Sequence, residues 1–275
     1  MSDKTIAFIG GGNMARSLIG GLIADGHPAA GLRVAEPDGE RREALIADFE
    51  VQAFQENATA VRGADVIILA VKPNGVADVA RELAPQLDAR GPLVVSVAAG
   101  VRCADIDRWL GGGRPVVRAM PNTPALVQTG ATALFASAAV SEGQRDLAET
   151  IMRAVGLIVW LDDERDMNAV TAISGSGPAY FFATMEAMQT AGESLGLDAR
   201  TAHLLTLETA LGAARMALES AEDVDALKRR VTSPGGTTAA AIDVLEAGDL
   251  PGTYRRALEA AAQRARALGD ELGDQ

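Results

Sequence analysis

Thr5-Ile6-Ala7-Phe8-Ile9-Gly10-Gly11-Gly12-Asn13-Met14-Ala15 is the stretch that decides the fold. An apolar, β-branched run stops on glycines and passes straight into a helical pattern. Gly10, Gly12 and Ala15 make the GxGxxA form of a dinucleotide fingerprint. Gly10 allows the tight turn, Gly12 lets backbone approach a pyrophosphate, and Ala15 keeps the helix close to the sheet. Glycine-rich turns arise by chance, but this one follows a strand and opens a helix. That context favours dinucleotide binding over a purely structural turn.

Working outward, short apolar runs alternate with helical periods. Strands are expected over residues 5–9, 32–35, 65–71, 93–98, 115–120, 131–135 and 157–161, and helices over 13–24, 40–47, 75–83 and 142–154. Continuous apolarity in Val66-Ile67-Ile68-Leu69-Ala70-Val71 marks a strand buried on both faces. Alternation of this kind predicts an α/β fold, a Rossmann-like doubly wound parallel sheet, over residues 1–162. Beyond Asp163 the periods become helical, with helices expected over 179–194, 201–220, 238–245 and 254–268. Their small residues, as in Thr209-Ala210-Leu211-Gly212-Ala213-Ala214, leave a lone set of helices a thin core. Residues 163–275 are therefore expected to be an all-α domain that packs against a second copy.

Composition narrows the function. The chain has 275 residues, 48% hydrophobic but only 4% aromatic, and a formal charge of −12. That charge argues against general binding to nucleic acid or anionic membranes. Cys103 is the single cysteine, and His27 and His203 are the only histidines, so no metal-ligand spacing arises. Met1-Ser2-Asp3-Lys4 lacks a signal-peptide pattern and no apolar stretch is long enough to span a bilayer. A soluble cytoplasmic protein is expected.

Glu36 ends the second strand, close to where an acidic residue meets the adenosine ribose hydroxyls; there it should repel a 2′-phosphate and favour NADH, unless the stretch is simply a solvated helix start with acidic first-turn residues. Arg41 and Arg42 follow within a turn and offset that repulsion if they lean back, so NADPH and NADH both stay open. Lys72, in Ala70-Val71-Lys72-Pro73, stands beside the expected pyrophosphate or is a solvated loop lysine. The second informative string is Ser233-Pro234-Gly235-Gly236-Thr237-Thr238. Proline and two glycines break one helix, and two threonines open the next with free backbone amides, a good seat for a carboxylate. Read alone, it is an interhelical turn with a threonine cap.

These motifs, together with Met120-Pro121-Asn122-Thr123-Pro124 and Ser174-Gly175-Ser176-Gly177-Pro178, stand in an order that resembles pyrroline-5-carboxylate reductase nearly end to end. The resemblance implies reduction of Δ1-pyrroline-5-carboxylate to L-proline by NADPH or NADH, the last step of proline biosynthesis. It implies homodimers interlocked through the C-terminal helices, which often assemble further into decamers. By the same resemblance, Gly12, Asn13, Met14, Asn57, Ala70, Lys72 and Pro73 contact the cofactor, joining Gly10, Ala15, Glu36 and Val71. Asn122 and Ser174 belong beside nicotinamide and substrate. Ser233, Gly235, Gly236 and Thr237 hold the substrate carboxylate, with Thr238 on the ring nitrogen. Some members carry a glutamate just after the helix ending near Ser220; here Ala221 takes that place, with Glu222 adjacent.

The chemistry suits these residues. A protonated cyclic imine is already electrophilic, so neither a metal nor a strong general acid is obligatory, and orientation supplies much of the rate. A β-hydroxyacid dehydrogenase of similar build needs a lysine on the interdomain helix. The only lysines are Lys4, Lys72 and Lys228, none within 174–195. A nucleotide sensor without turnover is the rival from another class.

Overall fold

In a computed structural model, which describes residues 4–87 and 91–275, eight strands form one sheet. Met1, Ser2 and Asp3, read above for a signal pattern, lie outside the described residues. The strands are β1 (Ile6–Ile9), β2 (Leu32–Ala35), β3 (Gln52–Phe54), β4 (Val66–Leu69), β5 (Leu93–Ser96), β6 (Val116–Met120), β7 (Gly130–Ala136) and β8 (Gly156–Trp160). Their order is β3-β2-β1-β4-β5-β6-β7-β8, the doubly wound arrangement in which the chain reverses direction across the sheet at β1 and β4. Ile6 and Phe8 enter one buried cluster, and Ala7 and Ile9 the other, on the opposite face. Burial on both faces is why these strands read as unbroken apolar runs.

One feature departs from an all-parallel sheet. β7 runs antiparallel to β6, and then pairs in parallel with β8. Only residues 121–129 link β6 to β7, too short a connection for a parallel crossover, which takes a dozen residues or more.

The helices are α1 (Asn13–Ala24), α2 (Gly39–Phe49), α3 (Asn57–Val61), α4 (Val76–Leu83), α5 (Cys103–Trp109), α6 (Glu142–Arg153), α7 (Met167–Val170), α8 (Gly177–Ser194), α9 (Ala199–Glu219), α10 (Val224–Arg230), α11 (Thr237–Ala247) and α12 (Leu250–Gly273). α6 starts on a reciprocal cap between Ser141 and Gln144. Asp38, Asp198 and Asp223 cap α2, α9 and α10 through their side chains. A π-helical turn, Thr171–Gly175, continues α7.

By backbone contact the chain forms two compact units, Met1–Ser176 with Ala260–Gln275, and Gly177–Glu259. Residues 163–176 group with the sheet because Met167 is fully buried against Met120 and Ala133. The end of α12 groups there too: Leu272 is buried in the same cluster as Val101 and Ile106, and Arg102 pairs with Asp270. In the second unit the one buried apolar side chain is Ala202. Phe181, Phe182, Leu205, Leu211, Leu218 and Val244 are each more than half exposed. Among the described residues no helix is long and apolar enough to cross a membrane.

Candidate active site

The register of the sheet brings the nucleotide-site residues to one edge. Ile9 lies level with Ala35 on one side and Leu69 on the other, so the residues that follow all three strands converge. Gly10 takes φ +97°, and a Cβ there would lie 2.8 Å from the Ala70 carbonyl oxygen. Only glycine fits that approach. The Gly10 amide donates to Ala35 O at 2.8 Å. Val71 lines the same turn, its Cγ1 within 3.2 Å of where that Cβ would be.

The next two glycines differ. Gly11 is packed under Leu45 and the Glu36 side chain, whereas a Cβ on Gly12 would meet nothing within 4 Å. Gly12 is the N-cap of α1 and supplies no side-chain cap, so the amides of the first turn open toward clear space. Such a helix start suits an anionic pyrophosphate through its dipole and unpaired N–H groups. Asn13 is exposed, Met14 half-buried against the core, and Ala15 buried against the sheet. The residues present therefore fit a dinucleotide.

Glu36 is buried, 5% exposed, and its carboxylate grips the loop. Oε2 accepts the Gly11 amide at 2.9 Å and Oε1 the Asp38 amide at 3.1 Å. Arg42 does lean back: its Nη1 donates to the carbonyls of Glu36 and Pro37 at 2.7 and 2.8 Å. Arg41 stays on the helix, its amide capped by Asp38. Asn57 opens α3 and donates to Glu82 at 2.8 Å. Lys72 is exposed, followed by Pro73 at the start of a single 3₁₀ turn, and makes no ion pair among the described residues.

Asn122 and Ser174 come together within the first unit. Asn122 Oδ1 accepts the Ala131 amide at 2.9 Å and its Nδ2 donates to Ser174 Oγ at 3.2 Å. The π turn carries Ser174 there, and Gly175 beside it packs so tightly on Met120 that a Cβ would be 2.4 Å from the Met120 methyl. π turns of this kind recur at functional sites.

The other group lies in the second unit. The Gly236 amide donates to Ser233 O at 3.0 Å, closing a turn with Pro234 second and Gly235 third at φ +71°. Gly236 caps α11 without a side chain, leaving the amides of Thr237 and Thr238 at an open helix start. Neither threonine hydroxyl makes a hydrogen bond among the described residues. Glu222 accepts from Arg230 at 2.7 Å. Cys103 is buried, and burial pushes its thiol well above the usual range, so it is a poor nucleophile.

Residues 164–268 match the family model described as pyrroline-5-carboxylate reductase dimerisation, and residues 5–100 that of NADP oxidoreductase, coenzyme F420-dependent. The chain is 52% identical over 273 residues to a pyrroline-5-carboxylate reductase of Pseudomonas aeruginosa, covering 99% of this chain and 100% of the relative. A solved pyrroline-5-carboxylate reductase of Coxiella burnetii superposes with a TM-score of 0.93 at 48% identity, over 96% of this chain and 98% of that one. The Plasmodium falciparum pyrroline carboxylate reductase, solved with NADP bound, gives 0.87 at 29% identity, over 98% and 99%.

Proposed function

The chain belongs to the pyrroline-5-carboxylate reductase family, and on that premise we propose how its own residues divide the work of reducing Δ1-pyrroline-5-carboxylate to L-proline. The enzyme is a nicotinamide-dependent oxidoreductase that oligomerises. Gly10, Gly12, Asn13, Met14 and Ala15 hold the cofactor pyrophosphate at the start of α1. Glu36 and Asn57 face the adenosine end, and Ala70, Val71, Lys72 and Pro73 line the opposite wall. When bound, the reduced nicotinamide supplies a hydride.

Ser233, Gly235, Gly236 and Thr237 seat the substrate carboxylate on the first turn of α11, where helix dipole and unpaired amides favour an anion. The Thr238 hydroxyl hydrogen-bonds the ring nitrogen and keeps the imine in one orientation. Ser174 holds the Asn122 amide, which faces the reacting pair. Hydride addition to the carbon of the protonated C=N bond leaves a secondary amine, so no further proton need move at that nitrogen. Holding the two reactants in register is then the main source of rate. The open start of α11, with two threonine hydroxyls not engaged elsewhere among the described residues, is the observation that carries this reading.

Both NADH and NADPH serve, with Glu36 biasing the choice toward NADH and Arg42 moderating it. The helices between Gly177 and Glu259 form the homodimer, which is the unit of any decamer. Thr238→Ala tests the assignment. Loss of one oriented hydrogen bond to a charged group costs ~1.5–3 kcal/mol, roughly one to two powers of ten in kcat. Cofactor affinity should stay put; wild-type kinetics in the variant would reduce Thr238 to a helix-start residue.

A further inference from the structure

Away from these residues the first unit holds a cavity of about 440 Å³ bounded by β6, the segment leading into α7, and the last turns of α12. Its charged lining is Arg102, Arg118, Arg165 and Arg266 against Glu164 and Asp270, with Asp163 held by Arg165 just outside: four guanidiniums to three carboxylates. In a chain of net charge −12 that local excess of positive charge is an exception. It also draws on four separate segments, so no run of basic residues betrays it in the sequence.

Arg118 is the anchor. It sits in the middle of β6, only 4% exposed, yet among the described residues its guanidinium donates a single hydrogen bond, from Nη1 to Glu164 Oε1 at 3.2 Å. A guanidinium carries five N–H donors. The same Glu164 oxygen also accepts the Cys103 amide at 2.8 Å, so its charge is shared. Arg102 pairs with Asp270 and Arg165 with Asp163, while Arg266 has no ion pair among the described residues. None of the residues at the start of α1 or α11 lines this cavity.

We propose that this cavity is a second binding site, for a phosphate group, held by the guanidiniums of Arg118 and Arg266, the fork of Arg165 being taken by Asp163. Planar guanidiniums match the oxygens of phosphate in pairs, which a spherical halide does not reward. The group arrives either as free phosphate or as part of a phosphate ester, and the cavity has room for both.

Thermal melting of the full chain tests this, with saturating oxidised nicotinamide cofactor present to occupy the start of α1. At constant ionic strength, inorganic phosphate or ribose 5-phosphate at about ten times its dissociation constant should raise the Tm by about 2–4 °C over chloride. Whichever of the two gives the larger shift identifies the source. The shift should vanish in Arg266→Ala, an exposed position whose loss leaves the fold intact, and persist in Arg153→Ala, remote on α6. No difference between phosphates and chloride would overturn the proposal. So would an undiminished shift in Arg266→Ala, which would place the phosphate elsewhere. Neither result depends on the substrate assignment, because no turnover is measured.

Discussion

Glu36 Oε2 accepts the Gly11 amide at 2.9 Å, so the acidic residue ending β2 braces the very turn that opens α1. The carboxylate is thereby fixed close to where the adenosine ribose of a dinucleotide lies in this fold. A 2′-phosphate adds about two negative charges there at neutral pH. Glu36→Ser should move the ratio of kcat/KM for NADPH over NADH upward by about tenfold. That equals about 1.4 kcal/mol, a fair figure for charges several ångströms apart at a protein surface. The shift should shrink at high salt as screening sets in. A ratio that stays fixed would mean that Glu36 serves the loop alone.

Ser174 and Asn122 give a second test. Ser174→Ala removes the acceptor for Asn122 Nδ2, leaving the amide held only through Ala131. A neutral hydrogen bond contributes about 0.5–1.5 kcal/mol, so kcat should fall about three- to tenfold while cofactor affinity is unchanged. A matching loss of cofactor binding would place Ser174 on the cofactor instead.

Much of the fold is legible in the sequence, and what is not has physical causes. The strands of the buried centre stood out because burial on both faces makes an unbroken apolar run, as in Val66–Leu69. β3 carries no sequence signal: Gln52–Phe54 is a three-residue edge strand, partly exposed, with no apolar pattern. α3 and α5 leave no periodic signal because each spans fewer than two turns, and neither starts on a side-chain cap. α10 could have been found, since Asp223 is a capping residue ahead of it. The antiparallel turn of β7 was hidden because apolar alternation does not encode strand direction. Among the candidate residues, the glycines after β1 and the 233–238 turn are readable because backbone geometry restricts residue type there. The grip of Glu36 on Gly11 is not, since it joins residues that only the sheet brings together.

The second unit makes a prediction about assembly. Leu211 is 62% exposed and Phe181 64%, on helices whose one buried apolar side chain is Ala202. Apolar surface on that scale marks an interface. Light scattering at micromolar concentration should give a dimer or a multiple of one. Leu211→Asp together with Phe181→Asp should shift it to monomer and lower the melting temperature. A monomeric wild-type chain would remove the interlocked dimer from the account.

His27 links stability to acid. It is 5% exposed, and the Lys4 and Gly31 backbones beside its ring only partly offset its burial. Burial lowers its pKa from the ordinary 6.5. The unfolded chain therefore takes up a proton at a higher pH than the folded one. Its contribution is fully present above about pH 6.5 and is lost as pH falls through the lowered folded value. Melting temperatures should be flat above that point and decline below it, and His27→Leu should flatten the decline. An unchanged slope would assign the acid sensitivity to carboxylates.

The central claim is that this chain reduces a cyclic imine acid with a nicotinamide cofactor. A steady-state assay of the full-length protein with Δ1-pyrroline-5-carboxylate, run separately with NADPH and NADH, tests it most directly. Oxidation of either cofactor should be matched mole for mole by L-proline, with no added metal, and should be greatly slowed in Thr238→Ala. Cofactor binding without proline formation under these conditions would contradict the account.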